Sequence, residues 1–268
     1  MTWAAKGYIF DIDGTLALAG PGGQGYEALP GAADVVSRLN AQAIPIIAYT
    51  NGTFHTPEVY RASLAAVGMD FKPGHVFTPA SVAADYFVKR RIDRVQVLGT
   101  EGVIRPLIEA GIEVITSKDS FEYVPAVLVG WYPDFTMPDL ESACRAIWAG
   151  AALFTTSKAP YFAGRGGRII GISGAISAML KSVTGKNIAL IGKPSVIGIQ
   201  MACERMRLRP ADIAVVGDDP RLEIKMARRA GAHAIGVTTG IASRGDFMAL
   251  PDDQKAHTVL ASVGDLHG

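Results

Sequence analysis

Four short apolar runs in this chain end in polar residues that could act together. Tyr8-Ile9-Phe10 leads into Asp11-Ile12-Asp13-Gly14-Thr15, and Ile46-Ile47-Ala48-Tyr49 leads into Thr50-Asn51-Gly52. Ile188-Ala189-Leu190-Ile191 leads into Gly192-Lys193-Pro194, and Ile213-Ala214-Val215-Val216 into Gly217-Asp218-Asp219. Asp11 and Asp13 stand two apart, so in an extended backbone both side chains project to the same side and could share one substrate. With Asp218 beside them, the negative charge becomes too costly to desolvate unless a cation neutralises it, and an all-oxygen ligand set suits Mg2+. Thr50, Asn51 and Lys193 then supply donors for an anion bound opposite the metal, and backbone N–H groups of the glycine-rich turns add more. A phosphoryl group fits best: one carboxylate can attack it to form an aspartyl-phosphate, while a second protonates the leaving group and later activates water. A lone Asp at a strand end is ordinarily a cap and a lone Lys is ordinarily solvated. Four such ends in one chain outweigh that reading.

The elements that must position these groups are legible too. The same four runs, with those at 95–98, 126–129, 151–154 and 234–237, are rich in β-branched residues and do not alternate in polarity, as expected of strands buried on both faces of a parallel sheet. Helix signals lie between them. Thr56-Pro57 opens a segment carrying Tyr60, Leu64 and Val67 and closed by Gly68, and Thr78-Pro79 opens another. Thr136 and Pro138 precede Leu140, Cys144 and Ile147, closed by Gly150, and Ile176, Leu180 and Val183 are closed by Gly185. Alternation of this kind predicts an α/β, doubly wound, Rossmann-like parallel sheet, in which ligands collect at the carboxyl ends of the strands. The four polar tips are therefore expected to meet in one crevice. The run Gly20-Pro21-Gly22-Gly23-Gln24-Gly25 reads as a flexible turn or hairpin, because the Lys-Ser or Lys-Thr of a P-loop is missing.

Composition sets outer bounds. The 268 residues leave room for one large domain or two modest ones. Against 25 acidic residues stand 26 basic ones, a net charge of +1, which argues against nucleic acid or an anionic membrane as partner. Thirty glycines and fifteen prolines fall at segment ends and read as punctuation. Cys144 and Cys203 are too far apart in sequence to suggest a disulfide framework or a zinc knuckle. The first residues lack a signal-like apolar core, and no run approaches the length of a membrane span. A soluble protein of the reducing cytoplasm is expected.

At the level of motifs the chain resembles the haloacid dehalogenase superfamily, and within it the class IIA phosphatases with a large C2-type cap. The residues carrying the likeness are Asp11-Ile12-Asp13-Gly14-Thr15, Thr50-Asn51, Gly192-Lys193-Pro194 and Gly217-Asp218-Asp219. Leu29-Pro30-Gly31-Ala32, Val129-Gly130 through Asp134-Phe135-Thr136, and Val237-Thr238-Thr239-Gly240-Ile241-Ala242 add to it. The resemblance implies that Asp11 is the nucleophile and Asp13 the general acid/base. It implies a Mg2+ held by Asp11, the main-chain carbonyl of Asp13, and Asp218, with Asp219 and Glu223 further out around the metal. Thr50, Asn51 and Lys193 would bind the phosphoryl group of a small phosphate ester. A cap spanning 81–174 would be inserted into a core made of 1–80 and 175–268, and would choose the substrate by closing over it. Capped members of the family often pair through the cap, which implies a homodimer.

Three positions depart from the family pattern. Glu223 stands where a second Asp is common, Thr155-Thr156-Ser157-Lys158-Ala159 replaces a cap segment that commonly reads Ala-Thr-Asn-Pro-Asp, and Gly52 replaces an Asn. The departures at Glu223 and in the cap segment motivate an alternative reading, a phosphate-binding or sensor protein that has lost turnover. Among neighbouring residues, His55 reads as a surface or capping histidine and Trp131 and Tyr132 as packing residues. Arg165 and Arg168 read equally as anion contacts or as solvated residues, and Lys225, Arg228 and Arg229 as an exposed helix face.

Overall fold

The computed structural model describes residues 4–19, 25–119, 123–164 and 167–266. Gly20 to Gln24 and Arg165 lie outside the described residues, as does the side chain of Arg168. Two compact units form. One comprises 1–50, 58–77 and 193–268, and the other 51–57 and 78–192.

The first unit begins with β1 (Gly7–Phe10), a short antiparallel pair β2 (Ala17–Ala19) and β3 (Tyr26–Ala28), and α1 (Ala32–Ala41). It continues through β4 (Ile46–Tyr49), α2 (Pro57–Ala65), whose first residue the division assigns to the other unit, and β5 (Val76–Phe77). The chain then builds the second unit: α3 (Pro79–Lys89), β6 (Arg94–Leu98), α4 (Glu101–Glu109), β7 (Glu113–Ile115), β8 (Ala126–Val129) and α5 (Met137–Trp148). After these come β9 (Ala152–Thr155), the antiparallel pair β10 (Tyr161–Gly164) and β11 (Gly167–Ile170), α6 (Ile172–Thr184) and β12 (Ile188–Leu190). The chain returns to the first unit with α7 (Ile197–Met206), β13 (Ile213–Gly217), α8 (Lys225–Ala230), β14 (His233–Val237), α9 (Arg244–Met248) and β15 (Thr258–Leu260).

Both units are built on parallel sheets, as the unbroken apolar runs require. The first has the order β15-β14-β13-β1-β4-β5 and the second β12-β9-β8-β6-β7. Every residue of β1, β4 and β13 is buried. Phe10, Ile12, Leu16, Val36, Leu39 and Leu64 form part of the first core. Each such side chain removed from water stabilises the fold by about 1.5–3 kcal/mol before conformational entropy is counted. In the second unit Leu98, Val127, Val129, Cys144, Ile147 and Leu153 pack with Ile176 and Leu180 of α6.

The helix signals work as the chemistry predicts. Thr78 Oγ1 accepts from the Ser81 N–H at 3.3 Å, and Ser81 Oγ accepts from the Thr78 N–H at 3.0 Å, closing a capping box at α3. At α5, Asp139 Oδ2 accepts from both the N–H and the hydroxyl of Thr136, at 2.8 and 2.7 Å. Gly185 ends α6 in the left-handed conformation at φ 68°.

Two expectations change. Lys193 does not follow a strand of the sheet that carries Asp11, because the run before it forms β12, which pairs with β9 in the second sheet. Three polar tips, not four, belong to the first sheet. The second unit also runs to Gly192 and takes in 51–57, whereas the sequence suggested a return at 174. The cause is physical: α6 contributes Ile176 and Leu180 to the second core, and β12 extends the second sheet.

Candidate active site

β1, β4 and β13 are neighbours in one sheet, so their carboxyl ends bring Asp11, Thr50 and Asp218 together. The β1 ladder is continued by the Asp11 N–H, which donates to Val216 O at 2.9 Å. Asp13 lies just beyond, in a turn where Gly14 adopts φ +87° and its N–H donates to Ala17 O at 2.9 Å. Glycine is needed there on two counts. A left-handed φ strains any other residue, and a Cβ would stand 2.6 Å from Asp218 Oδ2. Gly240 packs closer still, and the Ile241 N–H donates to Asp218 Oδ2 at 2.9 Å.

Lys193 is the buried cation of the cluster, 3% exposed. Its Nζ donates to Asp11 Oδ1 and to the Tyr49 carbonyl at 2.9 Å, and it pairs with Glu223 Oε1 at 2.6 Å. The Tyr49 ring lies beneath it, 5.5 Å from Nζ to the centroid. Thr50 Oγ1 donates to Asp13 Oδ2 at 3.3 Å, and the Tyr26 hydroxyl donates to the same carboxylate. Asn51 belongs to the second unit by the division above.

Burial and mutual repulsion shape the charges. Desolvation pushes the Asp11 carboxyl well above the usual carboxylate range; Lys193 opposes the shift, and Glu223, Asp218 and Asp13 add to it. Asp218 is raised to about 6, first by burial and then by Glu223. Asp13 keeps solvent access while the protein crowds it; desolvation raises its carboxyl, and Lys193, Thr50 and Tyr26 pull the other way. The carboxylates around Lys193 hold its ammonium charged despite the burial that opposes them.

Glu223 and Asp219 both have partners within the protein. Glu223, on a π-helical turn at Pro220–Ile224, is bound to Lys193 through Oε1 and accepts from the Asp219 N–H through Oε2 at 3.2 Å. Asp219 Oδ1 caps that turn, accepting from the Arg221 N–H at 2.7 Å.

The donor set fits Mg2+. Among the described residues, no three His, Cys, Asp or Glu side chains converge as a metal-ligating group. Magnesium needs no such trio, since it takes one or two carboxylates and keeps several waters. Asp11 and Asp218 can serve with the Asp13 carbonyl, and the surplus of carboxylates over the single ammonium is the charge pattern a divalent cation offsets.

Several other residues resolve. Trp131 packs on Phe54, with ring centroids 4.4 Å apart, and Tyr132 on Phe135 at 6.3 Å. Arg228 donates to the carbonyls of Asp253 and Asp252, while Lys225 and Arg229 are exposed. Sequence reasoning missed Tyr26, which no motif marks, and Thr239, whose hydroxyl donates to Gly14 O at 2.7 Å. A polar residue beside Gly240, in a segment already marked by likeness, was the available signal for Thr239.

A parallel α/β sheet with clustered carboxylates and a buried lysine at its strand ends is the site of an enzyme. Comparison with known proteins narrows the class. Residues 8–113 match the haloacid dehalogenase-like hydrolase model, and residues 190–266 match a second, HAD-hydrolase-like model. The acid sugar phosphatase of Staphylococcus haemolyticus is 32% identical over 237 residues, covering 88% of this chain and 86% of that one. The acid sugar phosphatase of Staphylococcus aureus is 30% identical over 242 residues, covering 90% and 89%. A hypothetical protein of Pyrococcus horikoshii OT3 superposes with TM-score 0.86 at 30% identity over 96% of this chain and 97% of that one. In fold alone, the glycerol phosphate phosphatase of Mycobacterium tuberculosis, solved with magnesium, matches at TM-score 0.83 and 24% identity over 96% and 75%. The chain belongs to the haloacid dehalogenase-like hydrolase superfamily, among its phosphatases. No helix among the described residues is long and apolar enough to cross a membrane.

Proposed function

We propose that the protein is a magnesium-dependent phosphatase that hydrolyses the phosphate monoester of a small metabolite through an aspartyl-phosphate on Asp11. One observation carries the reading: the buried Lys193 ammonium sits on Asp11 Oδ1, where it both steadies the attacking carboxylate and faces the incoming phosphoryl charge. Asp11 attacks phosphorus as the ester P–O bond breaks, and Asp13 gives its proton to the departing alkoxide. Asp13 then takes a proton from water, the hydroxide attacks the acyl-phosphate, and Asp11 and inorganic phosphate are released. Thr50 and Lys193 hold the phosphoryl oxygens. Mg2+, held by Asp11, the Asp13 carbonyl and Asp218, supplies charge neutralisation when bound. The second unit is read as the cap that selects the substrate, and its pairing as a homodimer belongs to the same proposal. The buried thiols of Cys144 and Cys203 suit a reducing cytoplasm. Glu223, one of the departures that suggested a binding protein without turnover, is paired with Lys193.

Because the relatives are acid sugar phosphatases, sugar phosphates head the panel of esters to test. Phosphate release from p-nitrophenyl phosphate and from sugar phosphates is expected with Mg2+ and not with excess EDTA. Asp11→Asn is expected to lose about 10³-fold or more in kcat. Turnover retained by that variant would remove Asp11 as nucleophile.

A further inference from the structure

Tyr26 lies on β3, the second strand of the short antiparallel pair that follows the first motif. Chain pairing brings it to the site. Asp13 bridges to Ala17, Ala17 pairs with Ala28, and Tyr26, two residues before Ala28, shares its face of the ribbon. Both Tyr26 and Ala28 pack against the first core, and the Tyr26 ring lies 6.4 Å from that of the buried Tyr60. With the ring fixed, the hydroxyl reaches the Asp13 carboxylate, whose Oδ2 also receives the Thr50 hydroxyl at 3.3 Å. Two hydroxyls from two different elements thus grip one carboxylate. A carboxyl held by one donor can swing about its terminal torsion, while a second donor on another element restricts that rotation.

We infer that Tyr26 is a positioning residue for leaving-group protonation, holding the Asp13 carboxyl in the orientation from which it delivers a proton to the departing alcohol oxygen. The inference rests on the reading of Asp13 as the acid/base group. Tyr26 transfers no proton itself. The proton moves from Asp13 to the alkoxide oxygen as the P–O bond breaks.

The consequence is a dependence on the leaving group. A nitrophenolate is stable without a proton, whereas the alkoxide of glycerol or a sugar is not. Orientation of the acid therefore matters for alkyl esters and little for p-nitrophenyl phosphate.

The test compares Tyr26→Phe with the unmodified enzyme on glycerol 3-phosphate and on p-nitrophenyl phosphate, both with saturating Mg2+. Phe keeps the ring and its packing and removes only the hydroxyl. The expected result is a fall of about 10-fold in kcat for the alkyl ester and less than about 2-fold for the aryl ester, with KM values little changed. Tyr26→Leu, with a thermal melt of each variant, checks that the same split appears without the ring. Equal losses on both esters, or no loss on either, would overturn the inference, since a merely structural role has no reason to distinguish leaving groups. Asp11→Asn is assayed alongside. Its inactivity on both esters leaves the functional reading standing whichever way Tyr26 falls, and its continued turnover would bring down both.

Discussion

Removing either end of the Lys193–Glu223 pair gives unequal effects that reveal how the buried lysine is held. The two side chains are each 2% exposed and meet at 2.6 Å. At an effective dielectric constant of about 20, that separation corresponds to about 6 kcal/mol of attraction, most of it cancelled by the desolvation of both groups. Repulsion of Glu223 by Asp11 and Asp218 takes a further share, leaving a net coupling of about 2–3 kcal/mol. Glu223→Gln keeps an acceptor of the same length and leaves Lys193 with Asp11 and the Tyr49 carbonyl, so it should cost about 1–2 kcal/mol. Lys193→Met strands Asp11 and Glu223 together in the core and should cost about 3–5 kcal/mol. The double variant should be about 2–3 kcal/mol more stable than the sum of the single effects, because Glu223 repels its neighbours once its partner is gone. Since the chain has two units, native-state hydrogen exchange at the Phe10, Asp11 and Val215 amides, in metal-free buffer with EDTA, reports on the first unit alone. Additivity within about 0.5 kcal/mol would refute the reasoning.

Two further outcomes concern stability. Gly217→Ala would set a Cβ 2.2 Å from Glu223 Cγ, and displacing that side chain from Lys193 should destabilise the first unit by about 2–3 kcal/mol; an unchanged urea midpoint would contradict the packing. His233, stacked on His257 with centroids 4.3 Å apart, is lowered to about 4, first by burial and then by the charges of His257 and Arg228. Its folded value lies below its unfolded one, so the unfolded chain binds the extra proton, and the stability the neutral ring contributes above pH 6.5 is lost as pH falls towards 4. Discounted for partial exposure, the loss should be about 1–2 kcal/mol. Unfolding free energies of the unmodified protein and His233→Gln, compared from pH 7 to 4, should converge across that window; parallel curves would exclude the effect.

The sequence made the strands legible because a strand buried on both faces must be continuously apolar, and each run at 8–10, 46–49, 126–129 and 213–216 forms one. It did not say which sheet a run joins. The run at 188–191 looks like the others, yet it pairs with β9, because sheet membership is decided by long-range partners that apolar patterning does not encode. The domain return was misplaced for a related reason. α6 is an ordinary amphipathic helix, and only the identity of its partners assigns it to the second core. In the candidate site, the spacing of Asp11 and Asp13 and the glycines beside Asp218 carried local information. Tyr26 did not, since its approach to Asp13 depends on the pairing of β2 with β3, and Glu223 turned to Lys193 through a π-helical turn that no residue pattern announced.

The interrupted path of the chain bears on how the protein is born. β1 sits at the centre of the first sheet, with β4 on one side and β13 on the other. Between β1 and β13 the ribosome must synthesise about 200 residues, the whole second unit among them, which at about 5–20 residues per second takes about 10–40 s. Through that interval the second sheet and its helices can close while β1 has only its β4 edge available, leaving the other edge of Gly7–Phe10 without its ladder. The carboxylate cluster can therefore assemble only once the residues that follow Gly192, with Lys193, Asp218 and Glu223 among them, have emerged.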